Sequence, residues 1–447
     1  MVFDPSPQPR PQPATGPHVA LQDEVIRILI TDGNERVALA VARSLVRAGH
    51  SIHVTALTRL SLAGASRGTR PHLLATDPLH DPAGYALQVG RVAERQEIDV
   101  LLPMTDASLE ALLEYRHVLP ATVVLPFPDL ATYRAASDKA HVLTLARTCG
   151  FAVPETLLIA TPAQCGTTMP GAGFFPAVVK PHRSVVTVGG VRRKTAVTVV
   201  ADAAACRLAL AALPQTAFPV LLQRRVEGVG EGFFALRWAG RTVAMFAHRR
   251  LREKPPAGGV SVYRESIPLD QRLVGPGLRL LEALDWNGVA MVECKREPLT
   301  GQQVVMEVNG RFWGSLQLSV DAGVDFPALL VRCAAGETVP ECRQYRVGVR
   351  SRWFWGDVDH LYLRLTRSQA ALQMDGGAGS RLAALRDFLR VSPGRDRCEV
   401  WRWLDPAPFM VETMQWLGCL RPPAPHSTYS RCQVEKHSSA QRIPSRL

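Results

Sequence analysis

Apolar and polar positions follow two different periods along this chain, and the first hundred or so residues show both. Residues 25–30 form a short apolar run that passes through Thr31, Asp32 and Gly33 into residues 36–48, whose apolar positions share one helical face and which stop at Gly49. That order predicts a strand, a tight turn and a helix. Residues 52–56 predict a second strand, residues 100–103 a third that leads through Thr105 and Asp106 into a helix reaching Tyr115, and residues 122–125 one more. A strand-helix-strand rhythm implies a parallel sheet, so residues 25–130 are expected to form a parallel α/β domain. The Thr31-Asp32-Gly33 turn lacks the G-x-G-x-x-G pattern that cradles a dinucleotide, which disfavours an NAD site.

The pattern changes after residue 130. Ser137 and Asp138 can cap a helix over residues 139–149 that ends at Gly150. Residues 156–160 and 175–180 read as strands, the second closed by Lys180 and Pro181. A basic, glycine-containing stretch (182–194) follows, then a strand (195–200), a helix (203–213) and a strand (220–223). Residues 233–238, 241–248 and 260–266 read as antiparallel strands, and residues 277–284 as a helix. A third segment, residues 336–420, contains Trp353, Trp355 and several amphipathic helices. The Pro-rich residues 1–24 and the polar, basic residues 421–447 read as tails without a fold of their own.

The densest chemistry lies between Glu293 and Arg311. Residues 289–294 and 303–308 read as two strands, with residues 298–301 as the hairpin between them. Side chains alternate along a strand, so Glu307 and Asn309 share a face and Glu293 can meet them from the partner strand. Two carboxylates and an amide oxygen suit Mg²⁺, a hard ion that accepts few protein ligands and completes its shell with phosphate oxygens. Arg311, two residues past Asn309, adds a permanent cation where a transferring phosphoryl group needs one. An ordinary hairpin with polar residues facing water is the alternative.

Composition narrows the classes. A mean hydropathy near zero and 47% hydrophobic residues describe a soluble globular protein, and no apolar run is long enough to cross a bilayer. Nine cysteines stand singly, which disfavours a disulfide framework or a zinc site and points to a reducing cytoplasm. A net charge of +12 invites a nucleic-acid reading, but the arginines are spread over the whole chain with no aromatic-interleaved basic motif, so no specific nucleic-acid or membrane partner is expected. Lysine is scarce: Lys139, Lys180, Lys194, Lys254, Lys295 and Lys436 are all there are.

Taken in order, Lys139, Lys180, a glycine-containing basic loop, Gln223, Glu231, Gly258-Gly259, then Glu293, Glu307, Asn309 and Arg311 resemble the ATP-grasp superfamily over roughly residues 25–335. The most specific part is the fourteen-residue step from Glu293 to Glu307 with its E-x-N-x-R ending, as in carbamoyl-phosphate synthetase and amino-acid ligases. The resemblance implies a pre-ATP-grasp domain over residues 25–130. It implies a two-subdomain α+β ATP-grasp domain over residues 131–335, with nucleotide held between the subdomains, and leaves a mainly helical extension after it.

What the family implies for individual residues follows. Lys180 meets the adenine edge and the α/β phosphates, with Lys139 as a second phosphate cation. Gly189 and Gly190 sit in a flap whose N–H groups close over phosphates, though a plain hairpin turn accounts for them nearly as well. Residues Gln223, Arg224 and Val226 form the hinge that reads adenine through backbone groups, with Arg224 where relatives commonly carry Glu, and Glu231 receives the ribose hydroxyls. Glu293, Glu307 and Asn309 hold two Mg²⁺ ions, for which Mn²⁺ can substitute, and Arg311 stabilises the phosphoryl group in transit. His248, Arg249 and Arg250 face the same cleft and hold an anionic substrate. The implied activity is an ATP-dependent ligase that joins a small-molecule carboxylate to an amine through an acyl phosphate. An ATP-binding module without turnover is the alternative. Trp313, Trp353 and Trp355 are expected in the core, and residues after 336 to shape the substrate pocket or a homodimer contact.

Overall fold

The computed structural model describes residues 25–165, 169–188, 191–372, 374 and 379–418. Its first part runs β1 (Arg27–Ile30), α1 (Arg36–Arg47), β2 (Ser51–Ala56), β3 (Thr69–Leu73), α2 (Pro82–Arg95), β4 (Val100–Leu102) and α3 (Asp106–Glu114). The strands pair in the order β3-β2-β1-β4 and every neighbour is parallel, as the strand-helix rhythm predicts. α1 buries Val37, Val41 and Leu45, four residues apart, in the core. Residues 122–125 differ from expectation: Val124 makes a single bridge to Val100 and no strand forms. Pro120, Pro126 and Pro128 bound that run and remove donors that a ladder needs. β3 escapes the hydrophobic pattern because it is a sheet edge, mostly exposed and carrying Pro71.

Two helices follow, α4 (Leu130–Ser137) and α5 (Lys139–Thr148). Asp138 caps α5, its carboxylate receiving the N–H groups of Ala140 and His141, and so fixes Lys139 at the first helical position. The small subdomain comprises β5 (Thr156–Ile159), β6 (Ala177–Pro181), β7 (Val185–Val188), β8 (Val191–Lys194), β9 (Thr198–Val200), α6 (Ala203–Ala211) and β10 (Val220–Arg224). Its antiparallel sheet has the order β5-β10-β6-β9. Cys206 and Leu210 of α6 cluster with Val179, Val200 and Leu222. Lys180 and Gln223 alternate with Val179 and Leu222, so their side chains leave the sheet on its other face. β7 and β8 pair as a separate hairpin.

The rest builds the large sheet: β11 (Val229–Trp238), β12 (Arg241–Lys254), β13 (Val260–Ser266), α7 (Gln271–Ala283), β14 (Gly288–Arg296), β15 (Gln303–Asn309), α8 (Leu316–Ala322) and α9 (Phe326–Ala334). α7 starts earlier than the sequence suggests. Gly275-Pro276-Gly277 reads as a break, yet Asp270 caps the helix and Leu273, Val274, Leu280 and Leu281 are buried on both sides of the proline. The last segment supplies β16 (Arg350–Arg352), α10 (Phe354–Thr366), α11 (Arg381–Leu389), β17 (Asp396–Cys398) and α12 (Ala407–Trp416). It is mainly helical, but its two short strands extend the large sheet, whose order is β15-β14-β11-β12-β13-β16-β17. Arg36 to Glu399 (2.6 Å) and Arg43 to Asp405 (2.8 Å) tie this segment back to α1. Among the described residues no helix is long and apolar enough to cross a membrane.

Candidate active site

The register of one hairpin places the acids. Glu293 lies directly opposite Glu307, and Met291 opposite Asn309, so Glu293, Glu307 and Asn309 project from one face of the large sheet. The Asn309 amide donates to Glu307 Oε1 at 3.2 Å, while Lys139 Nζ stands 3.7 Å from Glu307 Oε2 and donates to Ser184 Oγ at 3.2 Å. Burial works to raise the Glu307 carboxyl, but Lys139, Lys180 and the Asn309 amide together hold it below its ordinary value. Glu293 goes the other way. Burial raises it, Arg250 opposes that, and the neighbouring Glu307 adds to it. The set of two carboxylates and one amide oxygen fits Mg²⁺, which leaves positions for water and phosphate oxygens when proteins supply few ligands.

Arg250 reaches Glu293 from two strands away. Its Nη2 is 2.7 Å from Glu293 Oε2 and its Nη1 2.8 Å from Glu253 Oε1. The side chain crosses β11 at Gly230, where an added Cβ would lie only 2.6 Å from Arg250 Cδ. His248 and Arg249, expected beside it, do not join. His248 is 1% exposed, its Nε2 hydrogen bonds with Ser315 Oγ at 2.8 Å, and burial drives its pKa well below the ordinary value, which favours the uncharged ring. Arg249 alternates to the opposite face and pairs with Glu265 at 2.6 Å.

Arg311 is held from the first domain. Its Nη2 donates to Asp106 Oδ2 at 2.8 Å, and the Tyr133 hydroxyl donates to Asp106 Oδ1 at 3.0 Å. Burial disfavours the guanidinium charge, but Asp106 outweighs this and raises the Arg311 pKa. Asp106, Tyr133, Lys139, Arg183, Glu307 and Asn309 line a hollow that opens to solvent.

The small subdomain faces these acids with Lys180 and Gln223. Lys180 makes no ion pair or hydrogen bond among the described residues, and burial lowers its pKa against the pull of Glu307. Gln223 is 2% exposed; its amide donates to Thr156 Oγ1 at 3.1 Å, and its Oε1 is buried without a partner. The Arg224 and Arg225 N–H groups are already bonded to Glu155 O (2.9 Å) and Pro176 O (3.0 Å). The Arg224 side chain is exposed, 3.7 Å from Glu155. The first free hinge donor is therefore the N–H of Val226, which has no partner among the described residues. A buried acceptor at Gln223 and a donor at Val226 match the 6-amino group and N1 of adenine.

One expected contact is overturned. Glu231 is opposite Cys294, whereas Gly232 is opposite Glu293, so the Glu231 carboxylate leaves the sheet on the face away from the cleft. It pairs there with Arg296 at 2.7 Å, which also reaches Asp270 at the start of α7 (3.3 Å). A ribose on the cleft face is out of its reach. Gly189 and Gly190 lie outside the described residues. The hairpin strands that flank them are anchored to the first domain by Arg192, which contacts Glu114 at 2.7 Å.

Three contributors escape the sequence reading: Asp106, Tyr133 and Lys295. Lys295 Nζ donates to Val226 O at 2.9 Å, inside the cleft. Asp106 follows the carboxyl end of β4, where open α/β sheets gather ligands, and that position was a usable signal. Scarcity marked Lys295 as one of six lysines, although nothing in the chain near it shows what it touches.

No family model matches the chain, and no curated protein matches it. Solved structures do. Biotin carboxylase from Campylobacter jejuni, in complex with β,γ-ATP, superposes with a TM-score of 0.56 over 73% of this chain and 74% of its own, at 15% identity. L-amino acid ligase from Bacillus licheniformis gives 0.53 over 70% and 75%, at 14% identity. The biotin carboxylase domain of Hydrogenobacter thermophilus 2-oxoglutarate carboxylase, in complex with MgADP, ADP and bicarbonate, gives 0.54 over 73% and 74%, at 13% identity. All three are ATP-grasp enzymes, and at these identities the likeness is one of fold. With its parallel first domain, small antiparallel sheet and large antiparallel sheet in that order, this chain has the fold of the ATP-grasp superfamily.

Proposed function

We propose that this protein is an ATP- and Mg²⁺-dependent ligase that joins a small-molecule carboxylate to an amine through an acyl phosphate. The observation that carries the reading is the register of Glu293 opposite Glu307 with Asn309 on the same face and Lys139 beside them. Glu293, Glu307 and Asn309 would hold Mg²⁺, which would neutralise phosphate charge and orient the γ-phosphoryl group. Gln223 Oε1 and Val226 N–H receive the adenine edge, and Lys139 and Lys180 face the phosphates. Arg311, fixed by Asp106, meets the charge that develops as a carboxylate oxygen attacks the γ-phosphorus and the bond to the bridging oxygen breaks, releasing ADP. The amine nitrogen then attacks the acyl carbon. Phosphate departs with the carbon–oxygen bond pair, and the amine loses its proton to water. Arg250, the one cation of residues 248–250 that reaches the acids, is placed to hold the carboxylate and the acyl phosphate.

ADP release with Mg·ATP, measured against pools of amino acids and other carboxylates, tests this reading. Release that depends on one carboxylate and disappears in Glu307→Gln supports it, because the substitution removes a metal-ligand charge. Equal release in both proteins sinks the metal assignment. Nucleotide binding without carboxylate-dependent release from any pool leaves a binding module.

A further inference from the structure

We propose that Lys295 binds the α-phosphate of the nucleotide from the hinge side of the cleft; the assignment rests on the ATP reading above. Lys295 stands two residues beyond Glu293 on β14, so the two side chains share the cleft face. Along a strand that separation is about 6.5–7 Å. Its neighbour on β11 is Gly230, over which the Arg250 side chain lies. Nζ is 2.9 Å from the carbonyl of Val226, the residue whose N–H is left for the base. A nucleotide that runs from Val226 to Glu293 and Glu307 passes its α-phosphate over Lys295.

The charge balance points the same way. Glu253 and Glu293, the acids near Lys295, each already hold the Arg250 guanidinium, at 2.8 and 2.7 Å. Arg225, Arg250 and Lys180, all cations, also lie nearby. Lys295 therefore has a neutral carbonyl as its hydrogen-bond acceptor and two further N–H donors to offer. Lys180, across the cleft, has no partner among the described residues. Two half-buried ammonium groups facing one another without a carboxylate in hydrogen-bond contact are unfavourable until an anion enters between them. A phosphate in that gap satisfies both lysines, and the bond from Lys295 to Val226 couples phosphate binding to the hinge.

Calorimetry of adenosine, AMP, ADP and a non-hydrolysable ATP analogue tests the assignment in wild type, Lys295→Gln and Lys295→Met. The amide in Lys295→Gln keeps a donor for Val226 O and removes only the charge, which covers the case in which Lys295→Met does not fold. Both variants are expected to bind AMP, ADP and the analogue about tenfold or more weakly and adenosine with unchanged affinity. Lys295→Arg is expected to recover most of the AMP affinity. Unchanged AMP binding in the variants overturns the proposal, and so does an equal loss for adenosine and AMP, since that marks a prop for the hinge. Wild-type protein that binds no adenine nucleotide overturns the ATP reading along with it, whereas wild-type binding that Lys295→Gln leaves intact overturns this proposal alone.

Discussion

Asp106 and Arg311 meet at 2.8 Å across 205 residues of sequence, one at the first turn of α3 and the other just beyond β15. The parallel domain thus does more than wall the cleft: it supplies the counter-ion that fixes Arg311, the cation proposed to meet the phosphoryl group. Tyr133 holds the second oxygen of the same carboxylate, so Asp106 is itself oriented. Asp106→Asn keeps the size and removes the charge. Its turnover in the ADP-release assay is expected to fall about tenfold or more, with affinity for Mg·ADP within about twofold of wild type, because one charge-assisted pair is weakened and Glu293 and Glu307 are untouched. An equal loss in nucleotide affinity would show that Arg311 serves binding in general.

Gly230 controls whether Arg250 can lie across the sheet. A methyl group there meets Arg250 Cδ at 2.6 Å, closer than carbon atoms approach, and the long side chain must swing away. Gly230→Ala should therefore separate Arg250 from Glu293 while leaving the strand intact. The expected result is a loss of turnover of about tenfold or more at a stability change of about 1 kcal/mol or less, checked by ADP release and urea unfolding of the same preparations. Retained turnover would remove Arg250 from the machinery.

The parts of this molecule that follow a local period are readable in its sequence. Strand alternation puts Glu307 and Asn309 on one face and allows Glu293 to meet them from the partner strand, and the paired register brings all three together. Lys180 at the end of an apolar strand is equally local. What escapes depends on phase or on distance. Counting eight residues from Gln223 to Glu231 cannot say which face Glu231 takes, because residues 225–228 are not strand and the alternation restarts at Val229. Lys295 and Val226 are 69 residues apart. β16 consists of a serine between two arginines and shows no apolar period, so its place in the large sheet comes only from the strands beside it.

Glu412 gives the fold a pH dependence of known sign. It is 8% exposed, receives the Trp353 indole N–H at 2.8 Å, and burial pushes its carboxyl up from 4.5 to about 7 even though Arg36 opposes the shift. The folded state then binds more protons than the unfolded state between those two values. Stability from this group is complete below about pH 4.5 and declines as pH rises to about 7. Glu412→Gln keeps an acceptor for the indole and cannot ionise. Urea unfolding should find it level with wild type near pH 4.5 and more stable by about 2 kcal/mol at pH 8. A difference that does not change with pH would mean that Glu412 ionises as freely in the fold as outside it.

The last test separates the two faces of β11. Glu231 carries a buried carboxylate that pairs with Arg296 behind the sheet, with Asp270 beyond. Were it a ribose ligand, Glu231→Gln would weaken nucleotide binding and leave the fold alone. Its placement predicts the reverse. The substitution removes the charge that Arg296 compensates, and Arg296 is partly open to water, so stability should fall by about 1–3 kcal/mol. The dissociation constant for Mg·ADP should stay within about twofold, since the nearest cleft residues on β11 are Gly230 and Gly232, neither of which changes. Calorimetric binding and thermal unfolding on one sample settle it: weakened Mg·ADP with an unchanged melting temperature would return Glu231 to the cleft and require a different register between β11 and β14.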